Sequence, residues 1–195
     1  MFQQATLPLH FILSPALPSD PAEMLARRLR KAVRHREPIA LGTAAQPYEP
    51  LATRLEEHPL RRVFLHEEGL EIAITTASSR ILRELGLLIE LDRRHAVSVR
   101  MMVPAADDPE PWMQAVRGLA AEGIATSVLL RPAAPGIQTG EESLRFLLEG
   151  TLEAGAFDVE MNAHSLPRGE RAPLLAAFRR LRLEYGFPRG ASGRG

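Results

Sequence analysis

Glu160, Asn162 and His164 alternate in the segment FDVEMNAHSLP, residues 157–167. On a β-strand that spacing sends all three side chains to one side. Facing an interior, they would form a polar column suited to proton transfer or metal binding. Facing water, they would be an ordinary solvated surface. A second group follows the apolar run of PIALGTAAQPYEP, residues 38–50, and comprises Thr43, Gln46, Tyr48 and Glu49. A third is TTASSR, residues 75–80, where Thr75, Thr76, Ser78 and Ser79 precede a helical pattern. Free N–H groups at a helix start can hold an anion there. Capping of the helix by Ser78 or Ser79 is the simpler use of the same hydroxyls. Arg100 and Arg131, each in or just after an apolar run, complete the set.

Several chemistries are excluded within these 195 residues. There is no cysteine, so disulfides, zinc–thiolate sites, catalytic thiols and cysteine-held iron–sulfur clusters are ruled out in this chain. GxGxxG, GxxxxGKS/T and GxSxG are all absent. His58, His66 and His95 stand at no ligand spacing, and no metal site is assigned. Met101, Met102 and Trp112 fit a core better than a cofactor box. The formal net charge is +0, from 24 basic and 24 acidic residues, which gives no support to nucleic acid or a membrane as partner. Lys31 is the lone lysine, and acids are interspersed with the arginines throughout. No secretory signal or membrane-spanning run is visible, so a cytoplasmic location is expected.

The elements that must position these residues alternate in type. Apolar runs predict strands at LHFILS (9–14), PIALGT, LEIAITTAS, AVSVRMMVP, IATSVLLRP and FDVEMNAHSLP. A helical pattern comes after each, at SDPAEMLARRLRKAV, PLATRLEEHPLRRVFLHEEG, RILRELGLLIELDRRH, PEPWMQAVRGLAAEG, TGEESLRFLLEGTLEAGA and RAPLLAAFRRLRLEYGF. In the third helix, Ile81, Leu85, Leu88 and Leu91 form the expected apolar stripe. Six successive βα units imply a parallel sheet with right-handed crossovers. Its C-terminal strand ends gather functional residues on one rim, whether the sheet is open or a partial barrel.

Several segments, taken in order, carry a resemblance. PIALGTAAQPYEP resembles the ALGTxTDPYQPxE segment of the radical S-adenosylmethionine superfamily, in its spore photoproduct lyase-like (DNA repair photolyase) branch. ITTASSRILRELGLLIEL is similar to that family's ITKSPLILRDLDLLxEL, and AVSVRMMVPAAD to its VSVSxTTxD. The stretch from AVRGLAAEGIATSVLLRPAAPGIQ to NAHSLP resembles AIRxLAxAGIPVxVxVAPxIPGLNDxEIxxILEAAxEAGA with its next strand, which ends in Leu-Pro. PAEMLARRLRK is similar to NAPELLRRELxR. Together these cover about residues 9–170.

The resemblance implies an α/β fold, a partial TIM-like (β/α)6 barrel of parallel strands open on one side. Residues 1–188 would be one such domain and 189–195 a flexible tail. The family holds a 4Fe–4S cluster on a CxxxCxxC motif and cleaves S-adenosylmethionine to a radical. This chain starts about where that cysteine loop would have finished. The family's aspartate in TDPYQP is Gln46 here, its glutamine is Glu49 and its TKS lysine is Thr76, while the acid of LRD persists as Glu84.

Three functional readings are open. The chain is a cluster-less relative that binds a ligand or supports a partner. Alternatively it is the C-terminal part of a radical enzyme whose CxxxCxxC lies elsewhere. The third reading is a metal-free enzyme using the strand-end rim, with Glu160 and His164 as catalytic candidates. The rim of ligand-binding candidates is Thr43, Tyr48, Glu49, Thr75, Thr76, Ser78, Arg100, Arg131 and Asn162. No cofactor is expected in the chain itself. Nucleic acid enters only by family analogy, and a protein partner or self-association at an open sheet edge is the other expectation. Residues 9–14, or a partner chain, should cover the edge of the strand in PIALGT.

Overall fold

The computed structural model describes residues 5–7, 34–35, 38–43, 47–50, 68–104, 108–132 and 140–188. The helices expected in SDPAEMLARRLRKAV and PLATRLEEHPLRRVFLHEEG, the strand expected at 9–14, Gln46 and the tail 189–195 lie outside the described residues. The chain divides into two units, Met1–Val99 and Arg100–Gly195.

In the first unit, β1 (Ala5–Leu7) pairs in parallel with β2 (Ile39–Leu41), and β2 with β3 (Glu71–Thr76). Ala5 stands opposite Ile39, and Ile39 opposite Ile72. The described strand on the edge of β2 is therefore Ala5–Leu7, nearer the N-terminus than the expected residues 9–14. Ile39, Leu41, Ile72 and Ile74 are all buried. They alternate along β2 and β3 onto one covered face.

A six-residue 3-10 helix, Ser79–Glu84, comes after β3 and runs into α1 (Leu85–Asp92). The tight segment corrects the expected stripe. Ile81, Leu88 and Leu91 are buried as expected, but Leu87 is buried where Leu85 was expected, and Leu85 is only half-buried. A 3-10 turn repeats every three residues, so the covered face runs Ile81, Glu84, Leu87 before the α-helical period takes over. Glu84 thereby lands in an apolar stripe.

β4 (Ala96–Pro104) matches its expected boundaries and passes through the division between the units. In the second unit come α2 (Glu110–Ala121), β5 (Ala125–Arg131), α3 (Glu141–Glu153), β6 (Asp158–Met161) and α4 (Arg168–Glu184). β5 and β6 pair in parallel, with Val128 opposite Val159 and Leu129 opposite Glu160. The strands are ordered β1-β2-β3-β4-β5-β6. The alternating α/β pattern read from the sequence is thus observed for the described residues. Parallel neighbours need long crossovers, and from β3 to β6 described helices supply them.

Met101 and Met102 are buried, as their core assignment requires, and Trp112 is half-buried. Leu119, Val116, Leu144, Leu148, Leu174, Phe178 and Leu181 supply the apolar faces of α2, α3 and α4. Gly155, at φ +84, ends the connection after α3, and a Cβ there would come within 3.0 Å of the Ala120 methyl. That close approach explains the glycine of EAGA.

Outside the core, α3 and α4 are joined by a ring of charges. Arg145 contacts Glu141 and Glu184, each at 3.0 Å, while Arg180 also contacts Glu141 and lies 3.8 Å from Glu184. Hydrogen bonds from Arg145 and then Arg180 hold the Glu141 carboxyl below its ordinary value of 4.5. A lowered folded-state value means stability that is present above the ordinary value and lost as pH falls through the lowered one. The urea midpoint of Glu141→Gln should therefore lie below wild type at pH 7 and converge on it as pH drops below 4.5. Denaturation curves across this pH range check this, and a gap that does not narrow as pH falls below 4.5 would rule out the charge ring as its cause.

Candidate functional site

The loop after β2 is built around a hydrogen bond. The Tyr48 N–H donates to the Thr75 carbonyl at 2.7 Å, and Tyr48 forms a parallel bridge with Thr76. Gly42 lies against that bond at φ +76. A Cβ on it would stand 2.4 Å from both the Thr75 oxygen and the Tyr48 nitrogen. Only glycine fits there, for sterics and for backbone conformation together. This accounts for the Gly42-Thr43 junction in the sequence.

The Thr76 hydroxyl donates to the Tyr48 carbonyl at 2.6 Å and accepts the Ser78 N–H at 3.1 Å. Ser78 itself makes no side-chain cap bond to the helical segment after it. The expected serine cap is therefore replaced by a threonine that stitches the end of β3 to the loop. At the far end of its ring, the Tyr48 hydroxyl donates into the Glu84 carboxyl, 2.8 Å from one oxygen and 3.0 Å from the other. Tyr48, Thr76 and Glu84 have 1%, 0% and 4% of their surface exposed. Burial, with Glu84 beside it, pushes the Tyr48 phenol well above its ordinary value.

These positions redefine part of the expected rim. Tyr48 and Thr76 face inward and are engaged with protein groups. Thr43, Thr75 and Ser78 are half-buried, and Glu49 is exposed. Glu84 is the member that sequence reasoning did not place in the site. Its signal was available, since an acid three residues from Ile81 and four from Leu88 sits on the apolar side of its helix.

The second unit assembles a different set. Arg100 on β4 donates to the Glu160 carboxylate on β6 at 3.1 Å. β5 lies between those strands in the sheet order, and its Leu129 is opposite Glu160 in register. The ion pair therefore passes over the Leu129 side of β5. By alternation Arg131 shares that face. The Arg100 and Glu160 side chains are 45% and 42% exposed, so the pair is screened by water and contributes under about 1 kcal/mol.

Asn162 and His164 do not extend this face. β6 ends at Met161, and although the Asn162 N–H still donates to the Leu130 carbonyl, its side-chain oxygen accepts the His164 N–H at 3.1 Å. That local turn competes with the ladder, as asparagine commonly does. Arg171 then holds the turn, donating to the carbonyls of His164 and Leu166, each at 2.6 Å. The expected column of Glu160, Asn162 and His164 is therefore broken: Glu160 lies on the strand, Asn162 shapes a turn, and His164 is exposed. His95 is buried, and its ring accepts the Leu70 N–H.

Among the described residues no group of three His, Asp or Glu side chains is placed to hold a metal ion. Among them also, no helix is long and apolar enough to cross a membrane.

No family model matches the sequence. The chain is similar to uncharacterized proteins of Mycobacterium bovis and of two strains of Mycobacterium tuberculosis, at 30% identity over 151 residues. That stretch is 71% of this chain and 44% of each relative, so the match spans less than half the length of these relatives.

The buried network yields two expectations. Gly42→Ala should cost roughly 3 kcal/mol from backbone strain and the close contact together. Tyr48→Phe should cost about 1–3 kcal/mol by removing a donor to a buried carboxyl. Urea denaturation measures both. The raised Tyr48 phenol adds a pH signature. Its contribution is full below the ordinary value of 10.0 and falls as pH rises above it, because the unfolded chain ionises first. Tyr48→Phe should flatten that alkaline loss, and an unchanged slope would show that Tyr48 does not carry it.

Proposed function

We propose that this chain is a ligand-binding module on a radical-S-adenosylmethionine-like scaffold, a partial (β/α)6 barrel without radical chemistry of its own, working in the cytoplasm. The ligand carries a carboxylate or phosphate, and it is held on the face bearing Arg100, Arg131 and Glu160. The observation that carries this reading is the half-exposed Arg100–Glu160 pair. Where the family segment VSVSxTTxD has serine, this chain has Arg100. A guanidinium is a planar donor suited to an incoming anion. Its present partner is a screened surface carboxylate, which an anionic group can displace at small cost. At Gln46, Glu49 and Thr76 the polar groups of the family pattern are exchanged for different ones. The loop that persists, Gly42 with Tyr48, makes internal contacts that support a scaffold role.

The length of the matched relatives favours a second reading, in which these residues correspond to one part of a longer radical enzyme. An in-frame CxxxCxxC upstream in the DNA, and anaerobic S-adenosylmethionine cleavage by the longer chain, would establish it and displace the first reading.

A thermal-shift panel of citrate, inorganic phosphate and adenosine monophosphate tests the binding module. At least one anion should stabilise the wild type, and Arg100→Ala should abolish that shift. Glu160→Gln should preserve or enlarge it by freeing the guanidinium. An equal shift in Arg100→Ala, or no shift with any of the three, would overturn the assignment. Both variants should fold, because the exposed pair contributes so little.

A further inference from the structure

A separate feature of the second unit lies on its helical side. α2 and α3 leave between them a groove of about 200 Å³. Phe146 stands in its wall with 64% of its surface in water, the most exposed large apolar side chain among the described residues. Met113 of α2, itself buried, gives the groove an apolar wall. Glu149, Gly150 and Glu153 come three, four and seven residues after Phe146 along α3, so they share its stripe. A Cβ on Gly150 would meet nothing within 4 Å, so the groove is open above the helix backbone there.

The charges are unbalanced. On the α2 side, Glu110 is paired with Arg117 at 3.4 Å. Glu149 and Glu153 have no hydrogen-bond or ion-pair partner among the described residues. They are four apart on one helix, so they repel each other. Both lie near the C-terminal end of α3, whose dipole disfavours negative charge, and the last turn holds no basic residue. A cation seated beside Phe146 relieves the repulsion and complements the dipole. Its aliphatic stem also covers the exposed ring, and a guanidinium gains from the ring face. An anionic lipid surface would meet these carboxylates as like charge, and a wholly apolar segment would desolvate them without compensation.

We propose that this groove docks a segment of a partner protein that presents arginine or lysine beside an apolar anchor, in the manner of an amphipathic helix lying along a groove. The proposal is independent of the ligand face around Arg100.

A fluorescein-labelled amphipathic peptide of leucine and arginine, about 18 residues long so that it can form a helix, is the probe. Its anisotropy is titrated with the whole chain, alongside a peptide with glutamate in place of arginine. The arginine peptide should bind saturably with one-to-one stoichiometry. The double variant Glu149→Gln, Glu153→Gln should weaken it roughly tenfold or more, as loss of a central contact does. Gly150→Leu should fill the groove and weaken it similarly, and Phe146→Ala should reduce it. Arg100→Ala should bind as wild type does, and the glutamate peptide should not bind. Circular dichroism confirms that each variant is folded, as expected for changes at open positions. Absence of binding, or equal binding by the double variant and by Gly150→Leu, would overturn the proposal.

Discussion

The first unit depends on a buried carboxyl that has to be answered. Glu84 occupies the apolar stripe of the helical segment after β3, and the phenol of Tyr48 donates into its carboxyl. Removing a carboxyl group from water without a hydrogen-bond partner costs several kcal/mol. Placing that phenol fixes the loop after β2, because the Tyr48 backbone is bound to Thr75 and Thr76. Fixing the loop in turn demands Gly42, the one residue type that tolerates both φ +76 and the contacts at 2.4 Å. Gly42, Tyr48, the Thr75–Thr76 pair and Glu84, far apart in sequence, are thus one constraint. The described polar groups of Tyr48 and Thr76 hold the strand end together and are engaged with one another.

The second unit keeps one ion pair, Arg182 with Asp158, part-buried and leaves others at the surface. Arg100 and Glu160 stand half in water over Leu129, and the four charges joining α3 to α4 are exposed as well. Such pairs are weak and exchangeable, in contrast to the Tyr48–Glu84 contact. Where pairing fails, beside Phe146, the excess is negative, although the whole chain is neutral. A neutral total therefore conceals a local negative field.

Much of the fold was legible because it rests on local periodicity. Apolar runs and helical stripes gave β4 to the residue, gave the cores of β2, β3, β5 and α2–α4, and put Met101 and Met102 inside. The failures have local causes too. The 3-10 start of the helix shifted the stripe from Leu85 to Leu87. The side chain of Asn162 turned the chain away from a strand that alternation alone would have continued. Both are short-range competitions that a period count averages away.

The sequence by itself determined the alternation of strands and helices and the absence of thiol chemistry in this chain. Tertiary structure alone decided which polar residues met. Tyr48 and Glu84 are 36 residues apart, Thr76 and Tyr48 are 28 apart, and Arg100 and Glu160 are 60 apart. Contacts at such separations are set by strand order and register. No periodicity within one element specifies them, because each element's pattern states which face is covered and not what covers it. The same limit hid the groove beside Phe146, which exists only where two helices fail to close over it.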